Sequence, residues 1–204
     1  MSDHYFSADP QSPVRRRPVV ASVWGRTLAL DSASGVFAAG RLDVGTAALF
    51  RETLPPTRPG VYLDLGCGYG VIACAIASVV AEATVWAVDV NERALGLCRD
   101  NAASLGLSAR VRVCAPVEVP AGVVFDEIWS NPPIRIGKPA LHELLSTWLP
   151  RLSPDGRAVL VVGKNLGADS LQRWIADQGF TCRRAASAKG FRILQVTPTG
   201  QQSP

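Results

Sequence analysis

A chain of 204 residues, 48% of them hydrophobic, can bury one full core and is too short for two large domains. Five cysteines, odd in number and without a Cys-x-x-Cys pair, argue against a disulfide framework and for a reducing compartment. The net charge of +4 is unevenly spread: residues 61–134 carry four Lys/Arg against eight Asp/Glu, whereas residues 135–204 carry ten against four, a footprint suited to a polyanion.

Residues 1–17 hold His4-Tyr5-Phe6, two X-Pro steps and Arg15-Arg16-Arg17, with little that builds a core. The arginines read as a tail of the kind that can bind RNA. Residues 19–30 alternate around Trp24-Gly25-Arg26 and predict a β-hairpin. Asp43 is placed to cap a helix running to about residue 54, ended by Pro55, Pro56 and Pro59-Gly60. This front piece, residues 1–58, is expected to lie as a lid over a main domain of residues 59–204.

From residue 61 strands alternate with helices, the mark of a parallel sheet with crossovers. Strands are expected at residues 61–65, 84–88, 110–114, 123–129 and 157–162, and a terminal hairpin at 180–185 and 191–197. Helices are expected at 71–81, at 92–104 behind an Asn91 cap, at 140–149 and at 169–178. Pro154-Asp155-Gly156 reads as the turn before the fifth strand. The run 71–81 is apolar on most faces, so it belongs inside the domain. It is the longest apolar run and too short to span a bilayer, and no basic-then-apolar leader is present. The expectation is a soluble, cytoplasmic protein with no membrane partner, as a monomer or a dimer. His4 and His142 lack partners at metal or triad spacing, so no metal is expected, and Cys67 reads as a small loop residue.

Three stretches carry chemistry. Gly66, Gly68 and Gly70 stand between a strand and a helix, where missing side chains let backbone approach a ligand and aim amide N–H groups at it. Their spacing differs from the Gly-x-Gly-x-x-Gly of dinucleotide binders, which argues against a nicotinamide oxidoreductase. Asp64 precedes them at a strand end, where a buried carboxylate needs a partner. Asp89 ends the next strand, where an acid can accept from both hydroxyls of a ribose. The third stretch is Asn131-Pro132-Pro133: the prolines stop the strand ladder and hold one amide outward at a carboxyl end.

Leu63-Asp64-Leu65-Gly66-Cys67-Gly68-Tyr69-Gly70, Asp89 and Ser130-Asn131-Pro132-Pro133, in this order, resemble a class I S-adenosylmethionine-dependent methyltransferase. The narrower resemblance is to the methyltransferase small domain group that includes ribosomal RNA guanine-N2 methyltransferases. It extends to His4-Tyr5-Phe6, Gly35-Val36-Phe37 and Leu42-Asp43-Val44-Gly45-Thr46 in the front piece. It implies a Rossmann-like, doubly wound α/β fold with a seven-stranded, mostly parallel sheet, a C-terminal antiparallel hairpin and an N-terminal hairpin and lid.

The resemblance also implies roles. The three glycines would hold the methionine and ribose parts of S-adenosylmethionine, with Asp64 accepting from its ammonium, Asp89 holding the ribose and Val90 packing on the adenine. The Asn131 oxygen and the Pro132 carbonyl would accept from an exocyclic amino group and aim its nitrogen at the methyl; Asn131 would also touch the cofactor. Pro133, Ile134, Arg135, Lys138, Phe37 and Phe191 would meet the substrate, with RNA, and ribosomal RNA or a ribosomal subunit in particular, as partner.

Two departures qualify this reading. Ile134 stands where the group usually has an aromatic that stacks on the target base, which leaves Tyr5, Phe37 or Phe191 to supply a platform or to serve simply as core. Ala115-Pro116-Val117 stands where many relatives have an Asp for the adenine amino group, leaving backbone, Glu118 or packing alone. Arg183, Arg184, Lys189 and Arg192 on the terminal hairpin would border the same mouth as Arg135 and Lys138 or be ordinary solvated charges. Methylation of a protein amide or a small amine, and cofactor or RNA binding without turnover, are the alternatives that the residues leave open.

Overall fold

The computed structural model describes residues 15–133 and 136–200. His4, Tyr5, Phe6, Ile134 and Arg135 therefore lie outside the described residues. The described residues open with β1 (Arg16–Val23) and β2 (Arg26–Ala33), paired antiparallel, then α1 (Val44–Glu52). The main run follows as β3 (Gly60–Leu65), α2 (Val71–Val79), β4 (Ala83–Val88), α3 (Glu92–Ser104), β5 (Val111–Cys114), β6 (Phe125–Ser130), α4 (Lys138–Trp148), β7 (Leu152–Gly163), α5 (Ala168–Asp177), β8 (Phe180–Ala188) and β9 (Phe191–Pro198).

Seven strands form one sheet in the order β5-β4-β3-β6-β7-β9-β8. The pairs β3/β4, β4/β5, β3/β6 and β6/β7 are parallel, and β7/β9 and β8/β9 are antiparallel. The chain winds outward from β3 through β4 to β5, then returns to β6 on the other side of β3. That reversal opens a crevice at the carboxyl ends of β3 and β6, where ligands of open α/β sheets bind.

Alternation along the strands loads both faces. Tyr62, Val85, Ala87, Trp129, Val159, Val161 and Ile193 point into one apolar cluster with α2, α3 and the β1–β2 hairpin. Leu63, Leu65, Ile128, Leu160, Val162 and Leu194 point into the other with α4 and α5. The helix after β3 is buried from Val71 through Ala77, as an all-round apolar helix must be.

The front piece is stitched into this core. Its hairpin turn places Trp24 at φ 47° and Gly25 at φ 76°, the positive pair that a type I′ turn requires. The Trp24 ring stands edge-on to Phe50 at 5.0 Å and to Trp129 of β6 at 5.5 Å. Asn101 of α3, fully buried, donates to the carbonyls of Asp31 and Tyr69 at 2.8 Å and accepts from the Asp31 N–H at 2.7 Å. One side chain thereby ties β2, α3 and the glycine loop together.

The expected turn at Pro154-Asp155-Gly156 lies instead inside β7. The ladder jumps from Phe125↔Leu152 to Glu127↔Arg157, so these residues form a bulge in a continuous strand. Gly156 makes it possible, because a Cβ there would come within 3.0 Å of the Phe125 and Asp126 carbonyl oxygens.

Candidate functional site

A cavity of about 290 Å³ opens at the topological reversal. Gly66 and Gly68, Asp89 and Val90, Asn131 with both prolines, and Phe37 and Phe191 all line it. Its geometry follows from what each segment is tied to.

The glycine loop is held by backbone bonds. Gly66 and Cys67 donate to the Val88 carbonyl at 2.8 and 3.0 Å, which brings the loop against the end of β4. Gly66, Gly68 and Gly70 sit at φ 75°, 54° and 85°, a region that glycine enters without penalty. A Cβ on Gly68 would meet nothing within 4 Å, so its bare face looks into open space. Gly70 does not line the cavity, and a Cβ there would strike Cys98 Sγ at 2.4 Å. The third glycine lets α2 lie close to α3.

Asp64 lies inside the fold. It is fully buried, does not line the cavity, and accepts the Ala73 N–H at 2.9 Å through Oδ2, closing the first turn of α2. Its Oδ1 is buried without a partner among the described residues. Burial pushes its carboxyl up to about 8, with the Ala73 N–H opposing the shift and the charge of Asp89 adding to it.

Asp89 does face the cavity. Oδ2 accepts from Gly68 N–H at 2.9 Å and Oδ1 from Asn91 N–H at 3.0 Å. Burial raises its carboxyl above the usual range, and these amides oppose the shift. The Val90 amide bears on the same carboxylate, and the acceptor capacity left to its oxygens faces the cavity, where neighbouring hydroxyls can donate to it. Val90, half exposed, and Pro116 give this end an apolar wall. Glu118 is not part of it, since Oε2 is bonded to Ala115 N–H at 2.6 Å. Asn91 Nδ2 donates to the Gly35 carbonyl at 3.0 Å and Arg93 to the Ser34 carbonyl at 2.8 Å, which holds Val36 and Phe37 over the cavity.

At the other end, Ser130 Oγ donates to the Leu65 carbonyl at 2.7 Å and fixes the Asn-Pro-Pro turn beside the glycine loop. Asn131 Nδ2 donates to Asp43 Oδ2 at 2.7 Å and to Thr46 Oγ1 at 3.0 Å. Asp43 is the cap of α1, as expected, and accepts Thr46 N–H at 3.0 Å. Its reach to Asn131 is legible only in three dimensions, although the Leu42-Asp43-Val44-Gly45-Thr46 string marked the segment.

The basic residues divide. Gly163 at the carboxyl end of β7 pairs with Phe191, so the Lys189-Gly190 turn lies at the mouth, and Lys164 N–H donates to the Gly190 carbonyl at 2.7 Å. Arg192 stands one residue in, with Asp169 at 3.9 Å. Arg183 and Arg184 pair opposite Gln195 and Leu194, three to four residues back. That is about 10–13 Å from the strand end, so they do not border the mouth as expected. Lys138 is exposed at the start of α4 and outside the cavity wall. Lys164 joins the rim unforeseen, because a lone lysine after a strand carries no sequence signal.

Other candidates resolve simply. Cys67 is buried, and a hydrogen bond with Cys98 together with burial pushes its thiol up, so it is no nucleophile. The His142 ring stacks on Trp174 at 3.9 Å. Among the described residues no group of three or more His, Cys, Asp or Glu could hold a metal, and no helix is long and apolar enough to cross a membrane.

Sheet order, glycine loop, strand-end acid and Asn-Pro-Pro turn define a Rossmann-like protein of methyltransferase type. Residues 27–195 match the methyltransferase small domain, and the chain belongs to that family of S-adenosylmethionine-dependent methyltransferases. It is 32% identical over 199 residues to the uncharacterized protein YbxB of Bacillus subtilis, covering 96% of this chain and 98% of that one. It is 34% identical over 174 residues to the ribosomal RNA small subunit methyltransferase C of Pseudomonas entomophila, covering 83% of this chain but only 51% of that protein. In fold it is similar to the T. thermophilus 16S rRNA N2-guanine methyltransferase solved with S-adenosylmethionine and guanosine: TM-score 0.75, 21% identity, 93% of this chain and 52% of that one.

Proposed function

We propose that this chain transfers a methyl group from S-adenosylmethionine to the exocyclic amino group of a base in ribosomal RNA, guanine N2 in particular. The observation that carries the reading is the joining, in one cavity, of a hydroxyl-accepting end at Asp89 and an amino-accepting end at Asn131. The residues fit the cofactor: Gly66 and Gly68 offer bare backbone, Asp89 offers two acceptors for a ribose, and Val90 and Pro116 offer an apolar wall for adenine. When bound, the cofactor supplies a methyl already activated by its sulfonium, so the protein needs neither a strong acid nor a strong base. What it contributes is alignment of the nucleophile with the methyl.

Asn131 Oδ1 and the Pro132 carbonyl accept the two amino protons of the base. This holds the nitrogen lone pair perpendicular to the plane of those bonds and toward the methyl. Phe191, which lines the cavity near Asn131, takes the stacking role that Ile134 cannot, and Phe37 and Pro133 add to the apolar lining. A stacked base is worth about 1–3 kcal/mol. Lys138, Lys164, Lys189 and Arg192 meet phosphates around a nucleotide turned out of its helix. Arg135 adds to this group by its place in the sequence.

The test is transfer of tritium from labelled cofactor to naked ribosomal RNA and to assembled subunits, followed by nucleoside analysis. N2-methylguanosine is the expected product. Label confined to protein or small molecules would overturn the reading.

A further inference from the structure

Asn131 is oriented from outside its own loop. Its amide nitrogen is held by Asp43 Oδ2 at 2.7 Å and Thr46 Oγ1 at 3.0 Å, both from the start of α1 and more than 80 positions earlier in the chain. We propose that Asp43 is a positioning residue for methyl transfer: it fixes the Asn131 amide with the oxygen turned to the reacting amino group, and its charge strengthens that oxygen as an acceptor. The inference rests on the function proposed above.

The chemistry of the partners determines the orientation. An asparagine amide can swap its oxygen and nitrogen by a half-turn, and only one of the two placements presents an acceptor to an amino nucleophile. A carboxylate can only accept, so beside Asp43 the amide must turn its NH2 group inward. Both Nδ2 protons are then engaged, and Oδ1 takes no bond among the described residues. A negative charge on the donor side of an amide polarises it, so the oxygen opposite gains acceptor strength.

Asp43 is itself immobilised. It caps α1, a helix of nine residues, and the oxygen that holds Asn131 also accepts the Thr46 N–H at 3.0 Å. Gly45 permits the approach. A Cβ there would stand 2.9 Å from Asp43 Oδ2, 3.0 Å from Phe191 Cε1 and 3.4 Å from Asn131 Nδ2. Gly45 lies inside a helix, so crowding at these three side chains, and not backbone conformation, calls for glycine.

The experiment compares Asp43→Ser, Asn131→Ala and the double variant in single-turnover transfer to ribosomal subunits, with cofactor affinity from calorimetry. Serine keeps the helix cap and is too short to reach Asn131, so folding is preserved. Asp43→Ser should slow transfer about 10- to 100-fold and leave the cofactor dissociation constant within about twofold. In the double variant the loss should equal that of Asn131→Ala alone, because the two residues act through one contact. Asn131→Asp, which sets two carboxylates face to face, should be nearly inactive, and adding Asp43→Asn should recover activity by about tenfold or more.

A second measurement needs no acceptor. In the protein bound to S-adenosylmethionine, the Asn131 side-chain amide protons should exchange slowly, and Asp43→Ser should release them. Multiplicative losses in the double variant, or a cofactor affinity that falls in Asp43→Ser while transfer is unchanged, would overturn the proposal. If no RNA is methylated at all, the proposed function fails, and the amide exchange still decides whether the clamp exists.

Discussion

The two ends of the cavity are built by different means. The polar frame of the Asp89 end draws on residues 64–91, a single strand-helix-strand unit, with Pro116, Val36 and Phe37 added as apolar cover, and its bonds run mostly between backbone groups and one carboxylate. The Asn131 end is gathered from α1, the turn after β6 and the start of β9, and Asn131 itself is held by side chains. A site closed within one local unit can be positioned by turn chemistry alone. A site assembled across the chain depends on packing at every joint, and it is there that specificity for the acceptor can vary while the cofactor end stays the same.

The difference can be broken from either side. The largest effect is expected for Gly70→Ala, which forces a Cβ against Cys98 at 2.4 Å from a backbone at φ 85°. A loss of about 3 kcal/mol in stability, read by denaturant unfolding, would show that the local end stands on the α2–α3 contact. Next comes Asn131→Ala, expected to lower turnover about 100-fold, or about 2.7 kcal/mol, with cofactor binding nearly unchanged. Asp89→Ala should do the reverse, raising the cofactor dissociation constant about 30-fold, equivalent to about 2 kcal/mol. Equal losses of cofactor affinity in both variants would erase the distinction between the ends. The smallest effect is expected at the rim: Lys189→Ala should weaken RNA binding a few-fold and lower its salt slope by about one, whereas Arg184→Ala, set back along the ladder, should leave both unchanged.

Much of the scaffold could be read from the chain. Strand and helix alternation gave the elements of the main run within two or three residues, the start of β7 excepted, because burial on two faces imposes near-continuous apolar strands and capped helices between them. The Asn91 cap, the Trp24-Gly25 turn and the Asp43 cap were each specified by a residue and its immediate neighbours. The misreadings share one cause. The bulge at Pro154-Asp155-Gly156 looks like a turn until β6 is seen beside it. That Gly70 meets Cys98 of α3 and Asp64 the Ala73 amide of α2 shows only once the helices are in place. Arg183 and Arg184 look like rim residues until the register of the terminal hairpin is known.

By itself, then, the order of residues determined which segments carry chemistry: a glycine loop, an acid at the next strand end, and an Asn-Pro-Pro stop. These are local matters of φ, missing side chains and missing N–H groups. Only the tertiary structure decided which atoms of those segments meet. Whether Asn131 shows its oxygen or its nitrogen to a substrate depends on a carboxylate 88 residues earlier, brought within 2.7 Å by the packing of α1 on the sheet. Side-chain direction across separated elements is a property of that packing, and no stretch of sequence near Asn131 contains it.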